Sequence, residues 1–263
     1  MFKIIISILA LIALILLIWA LIEPHRPEFT RINMNDTANP GLRVLFFTDL
    51  HKELCYVRPG YITSLISEHR PDCVFFGGDI ATDPNYREDG IAYLKEISEC
   101  CIGLDIPFYG VPGNHDKDMT IPMFERTGAV SLVDRYEVIG DFVLSGVRDS
   151  GREDRVWYEP VSIPESVTAG RKHIWLVHDP DAILHIENKD KVDYMLSGHF
   201  HGGQIRTPFR LEFIIRKDEL PHQWIIQGKH RIGNTTLFIS RGVGCAWLPL
   251  RLLVRPEISL IEF

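Results

Sequence analysis

The chain has 263 residues, 46% of them hydrophobic and 24% charged, with a formal net charge of −7. That length supports one sizeable domain or two small ones, and the balance is that of an ordinary globular protein apart from its N-terminus. Setting aside Lys3, the only charge in the first 22 residues, leaves −8 on the remainder; this argues against a nucleic-acid partner, which calls for a basic face, and suits a protein that gathers divalent cations.

Ile4 to Ile22 is an apolar run broken only by Ser7 and free of charge. It is long enough to cross a hydrocarbon core of ~30 Å as a helix. A cleaved signal peptide would have a shorter core of ~7–15 residues and a small-residue cleavage site. Trp19-Ala20-Leu21-Ile22-Glu23-Pro24 is a poor site of that kind. Residues 1–22 are therefore expected to be an uncleaved single-pass transmembrane helix in the cell membrane, with Trp19 at an interface. Lys3 on one side, and Arg26 and Arg31 mixed with Glu23 and Glu28 on the other, leave the orientation open. Residues 23–41, with Pro24, Pro27 and Pro40, are expected to be a linker holding one short strand near Phe29–Ile32, and residues 42–263 the main domain.

Within that domain, five short apolar runs each stop at Asp, Asn or His. Val44–Thr48 runs into Asp49-Leu50-His51, and Cys73–Phe76 into Gly77-Gly78-Asp79 and on to Asp83. Phe108–Val111 runs into Pro112-Gly113-Asn114-His115-Asp116, and His173–Val177 into His178-Asp179-Pro180. Tyr194–Ser197 runs into Gly198-His199-Phe200-His201-Gly202-Gly203. Buried strands that deliver ligands from their carboxyl ends produce this pattern. The spacing predicts helices after Pro59 and over Arg87–Ile102, and a hairpin of Tyr136–Ile139 and Phe142–Gly146 turning at Gly140-Asp141. A short helix over Asp181–Glu187 and strands over Leu237–Ser240 and Glu257–Phe263 complete the pattern. Helices alternate with strands first and strands dominate later, as in two packed sheets covered by helices. The five cysteines are odd in number and lack C-x-x-C spacing, so no disulfide framework is expected.

The set Asp-x-His, Gly-Asp-x-x-x-Asp, Gly-Asn-His-Asp, His and Gly-His-x-His, in that order from Asp49 to His201, resembles the calcineurin-like metallophosphoesterase superfamily. The tail from Ser240-Arg241-Gly242-Val243-Gly244 through Leu248-Pro249-Leu250-Arg251 to Arg255-Pro256-Glu257-Ile258 is similar to a bacterial, membrane-associated branch of it, the YkuE/YaeI type. The resemblance implies an α/β fold, the four-layer αββα sandwich. It implies that Asp49, His51, Asp79 and His201 hold one metal ion and Asp79, Asn114, His178 and His199 a second, with Asp79 as the bridge and a shared hydroxide attacking phosphorus. His115 is then the group that protonates or stabilises the leaving oxygen, with Asp83 or Asp116 as its orienting carboxylate.

Carboxylates, an amide and imidazoles without thiolate suit Mn, Fe or Zn better than Ca, with Mn favoured. The expected partners are a phosphoester substrate and the membrane. The ligand set is complete, which favours an enzyme over a binding or scaffold protein on the same fold. Two metals and a histidine serve monoesters, diesters and pyrophosphates alike. The substrate classes left open are a general phosphodiester, a lipid-linked phosphoester, and the UDP-2,3-diacylglucosamine pyrophosphate of lipid A synthesis. Apolar and basic residues mixed after Gln204 and near the C-terminus, Phe209, Phe213, Trp247, Arg210 and Arg251 among them, suggest a site that opens toward lipid.

Overall fold

A computed structural model describes residues 1–35, 41–149, 157, 159–187 and 191–263. Side-chain alternation along the apolar runs sets its layers. In Arg43–Phe47 (β2) and Cys73–Phe76 (β3), Phe46 and Phe75 point to one face, while Phe47 and Phe76 point to the other. Both faces are buried, so the runs are continuously apolar rather than alternating with polar residues.

These strands belong to a six-stranded sheet in the order β1-β12-β2-β3-β4-β5. Its other members are β1 (Glu28–Asn33), β4 (Phe108–Gly110), β5 (Val130–Ser131) and β12 (Glu257–Glu262). β2 to β5 run parallel, and β12 is antiparallel to β2. The strand expected near Phe29–Ile32 is β1, paired in parallel with β12; residues 36–40 of the expected linker lie outside the described residues.

The second sheet has six strands in the order β10-β11-β9-β8-β7-β6. They are β6 (Tyr136–Ile139), β7 (Phe142–Gly146), β8 (Lys172–Leu176), β9 (Tyr194–Ser197), β10 (Gly228–Ile232) and β11 (Thr235–Ile239). The expected hairpin forms as β6 and β7, and β7, β8, β9 and β11 are parallel. Phe46, Phe75, Leu144, Ile174, Leu196 and Phe238 fill the space between the sheets.

Helices cover the outer faces. On the first sheet lie α2 (Pro59–His69), which buries Ile62, Leu65 and Ile66, and α3 (Arg87–Gly103), which buries Ile91, Leu94 and Ile97. Short helices α4 (Ile121–Glu125) and α5 (Glu165–Thr168) come next in the chain, and on the second sheet Trp175 and Met195 pack with Ile183 of α6 (Ala182–His185) and Leu220 of α8 (Glu219–His222). The layering is the expected helix–sheet–sheet–helix sandwich.

Outside the sandwich stands α1 (Phe2–Ile22), whose residues are exposed except for Ala20. It is long and apolar enough to cross a membrane. The run after Gln204 forms no strand, only an isolated bridge between Ile205 and Leu252 and then short turns, with α7 at Leu211–Ile214.

Candidate metal centre

The seven expected ligands all follow parallel strands. Asp49 and His51 lie beyond β2, Asp79 beyond β3 and Asn114 beyond β4; His178 lies beyond β8, and His199 and His201 beyond β9. The loops are tied to each other through main chain. Asp49 N–H donates to the Gly78 carbonyl at 2.8 Å, His51 N–H to Asp79 at 3.0 Å, and Gly244 N–H to Asp49 at 2.8 Å. Five of the seven have a left-handed backbone: Asp49 (φ 55°), His51 (38°), Asp79 (61°), His199 (70°) and His201 (51°). Each such residue costs on the order of 1–3 kcal/mol and persists only where the surroundings hold it, a pattern concentrated at functional sites. Two glycines make room for the carboxylates. A methyl group at Gly113 would collide with the Asp79 side chain, and one at Gly198 with that of Asp49.

Among the described residues, the expected ligands fall into two groups, Asp49, His51 and His201 and then Asp79, His178 and His199; His51, Asp79 and His115 form a third group and Asp179, His199 and Asp218 a fourth, each with ligand atoms within 4.8 Å of one another. In the first, His51 Nε2 lies 3.1 Å from His201 Nε2, and His201 Nε2 lies 3.3 Å from Asp49 Oδ1. In the second, Asn114 Oδ1 lies 3.1 Å from His178 Nε2 and 2.8 Å from His199 Nδ1. Asp79 Oδ2 stands between the clusters, 3.4 Å from His51 Nε2 and 3.1 Å from His178 Nε2. Outer partners aim the rings. His51 Nδ1 pairs with Thr82 Oγ1 at 2.7 Å, and His178 Nδ1 donates to the Gly77 carbonyl at 2.8 Å. Such contacts fix which nitrogen faces a metal.

The electrostatics suit cations. Burial pushes His51 down to about 3 and His201 well below its ordinary value, so both rings are neutral, the form that binds a metal. Burial opposes ionisation of Asp79, yet His178 beside it holds its carboxyl well below the usual range. Burial likewise opposes a charge on His178, but Asp79 and Asp49 raise it well above its ordinary value. Protons and divalent ions therefore compete for this ring. Buried oxygen and nitrogen donors, without thiolate, that converge around a shared carboxylate fit two divalent ions.

His115 lies on the wall of a cleft of about 440 Å³ whose floor includes the buried His51, Asp79 and His201. Its main-chain N–H donates to Asp79 Oδ1 at 2.9 Å, and its ring centroid is 5.3 Å from that of His51. The two carboxylates expected to orient it bond to main chain instead. Asp116 accepts N–H groups of Gly113 (3.0 Å), Asp79 (2.8 Å) and Ile80 (3.0 Å), stapling the Asp79 and Asn114 loops together. Asp83 caps a 3-10 turn by accepting the Asn85 N–H at 2.9 Å. Sequence patterning did not single out Asp179 and Asp218, which lie 3.8 and 3.7 Å from His199 Nε2. Asp179 follows His178 directly, which was the available signal; Asp218 stands in a segment without motif spacing.

The calcineurin-like phosphoesterase family model matches residues 42–203. Among curated proteins, the chain is 29% identical to the metallophosphoesterase YkuE of Bacillus subtilis, over 91% of this chain and 86% of that one. It is 27% identical to the phosphodiesterase YaeI of Escherichia coli, over 93% and 88% of the two chains. A dimetal phosphatase from Danio rerio shares the fold at a TM-score of 0.50 and 13% identity, covering 86% of this chain and all of that one.

Proposed function

Because the chain belongs to the calcineurin-like phosphoesterase family, we propose that it is a membrane-anchored phosphodiesterase that uses two divalent ions and acts on a lipid-linked phosphoester. It is a metal-dependent phosphoester hydrolase. The observation that carries the dinuclear reading is Asp79, whose Oδ2 faces both histidine clusters at 3.4 and 3.1 Å. Asp49, His51, Asp79 and His201 would hold one ion, and Asp79, Asn114, His178 and His199 the other. The donor set favours Mn, Fe or Zn, and Mn first.

When bound, the ions supply positive charge toward a phosphoryl group and acidify water. The chain's own groups do the rest. His115, on the cleft wall and anchored through its main chain to Asp79, hands a proton to the leaving oxygen. Lys117 and Arg216, also on the wall, give it positive charge that favours a phosphate group. Ile205, Trp247 and Leu248 give the same cleft an apolar side, which supports an amphiphilic substrate. The exposed α1 supports a membrane anchor, and the phosphodiesterase relative supports a diester.

The test is hydrolysis of an aryl phosphodiester by the full chain, stripped by a chelator and refilled with Mn. Stripping is expected to abolish turnover and Mn to restore it. Unchanged turnover in the stripped chain would overturn the reading.

A further inference from the structure

The end of α1 is bonded to the segment that lines the cleft. The Ala20 carbonyl accepts the Arg251 main-chain N–H at 2.9 Å, and the Glu23 carboxylate accepts that of Leu253 at 2.7 Å. Arg255 donates to the carbonyls of Arg26 (2.7 Å) and Pro27 (2.9 Å). Arg206 N–H donates to the Leu252 carbonyl at 2.9 Å and Leu252 N–H to that of Gln204 at 3.0 Å. The Gln204 side chain holds Ala246 N–H at 2.7 Å and the Leu248 carbonyl at 3.1 Å. Residues 204–206 and 246–255 thus form one unit with the C-terminal turn of α1, and that unit carries the mouth of the cleft.

The surface beside this junction is apolar. Phe209 is 90% exposed, Trp247 83%, Ile215 75% and Leu253 64%. Phe213, by contrast, is packed against the interior cluster. Phe209 (φ 63°), Arg210 (56°) and Leu253 (59°) have left-handed backbones, a strain that persists only where the surroundings hold it and that clusters at functional segments. Arg206, Arg210 and Lys217 are exposed among them, while the one acid of α7, Glu212, is buried and bonded to Thr207. Large exposed apolar patches are interaction sites. The combination here, aromatic and aliphatic groups with cations at the point where an apolar helix meets the domain, fits a lipid headgroup layer.

We propose that residues 205–217 and 246–253 form a second membrane-contact surface, seated in the headgroup layer of an anionic bilayer at the level where α1 leaves it. This rests on the membrane-anchored reading of α1. Trp247, Phe209 and Leu253 enter the acyl boundary, and Arg206 and Arg210 pair with lipid phosphates. The cleft then opens at the bilayer surface, where a lipid-linked phosphoester reaches the metal centre without leaving the membrane.

The test uses the full chain in nanodiscs of phosphatidylglycerol or phosphatidylcholine with brominated acyl chains. Tryptophan emission is compared with that of Trp247→Phe. The difference, which reports Trp247, is expected to be quenched by brominated chains and shielded from aqueous iodide. In anionic discs that quenching is expected to weaken on raising salt, and an Arg206→Gln/Arg210→Gln double variant is expected to show the weakened value already at low salt; unchanged quenching in the variant would overturn the pairing of these cations with lipid phosphate. Emission from Trp247 that iodide quenches and brominated lipid does not would overturn the proposal. So would protection from both quenchers together with a dimeric mass, which would mean that a second copy covers the patch. No turnover is read, so failure of this test and failure of the hydrolase reading are distinguishable.

Discussion

His199 is bonded through Nδ1, while its Nε2 is buried without a hydrogen-bond partner among the described residues and has carboxylates just beyond bonding distance. Its Nδ1 turns to Asn114 Oδ1 at 2.8 Å, and its Nε2 faces Asp218 Oδ1 at 3.7 Å. Asp218 is in turn gripped by Arg216 Nε at 2.7 Å, and Arg216 stacks over Phe200 at 4.9 Å from the ring centre. A carboxylate on the far nitrogen of a metal-binding histidine fixes its tautomer, and loss of such a partner weakens binding roughly 10–100-fold. Asp218→Asn is therefore expected to lower Mn affinity by that factor, read by calorimetric titration, with the circular dichroism unchanged. Unaltered affinity would remove Asp218 from the centre. His115 makes the opposite prediction. It touches the cleft but belongs to neither proposed ligand set, so His115→Ala is expected to keep its metal and lose about 10²–10⁴-fold in turnover, the range for a general acid or base. Elemental analysis showing loss of metal in that variant would make His115 a ligand instead. The seven proposed ligands were legible in sequence because they stand just beyond the ends of five buried apolar runs. Asp218 was not, because its contact with His199 spans 19 residues of chain with no periodic pattern between them. Asp116 was legible as part of the site but not in its role: only the folded loops reveal that its carboxylate meets three main-chain N–H groups.

At the scale of elements, the strands were the most legible part, for a physical reason. Cys73–Phe76 and Tyr194–Ser197 are buried on both faces, so they appear as short continuous apolar runs bounded by glycine or polar residues. α2 and α3 show their 3- and 4-residue apolar spacing because only one face of each packs on the sheet. The segment after Gln204 was harder. Its mixture of apolar and basic residues fits a strand with one buried face, yet it forms 3-10 turns and two four-residue helices with much of its apolar surface outward. Local patterning does not encode this outward placement, because the same mixture of residues fits a buried face equally well. The loops beyond the strands hold the strained residues proposed as ligands through main-chain bonds to one another: Asp49 and His51 donate to the Gly78 and Asp79 carbonyls, and Gly244 donates to that of Asp49. The centre is accordingly a property of several loops closing at once.

Across the whole molecule, the two parallel sheet halves bring their carboxyl ends together. β2, β3 and β4 of one sheet meet β8 and β9 of the other above the shared core. Asp49, His51, Asp79 and Asn114 come from the first sheet, and His178, His199 and His201 from the second. Neither sheet alone holds a complete set, so the site exists only when the sandwich is closed. Asp79 faces both clusters, which makes the number of ions per chain the most direct measure of the central claim. The measurement is elemental analysis of the catalytically active full chain after equilibrium dialysis, beside Asp79→Asn. Two divalent ions per active chain are expected, with both lost or strongly weakened in the folded variant. Full activity with at most one ion per chain, or an Asp79→Asn chain that retains two, would contradict it.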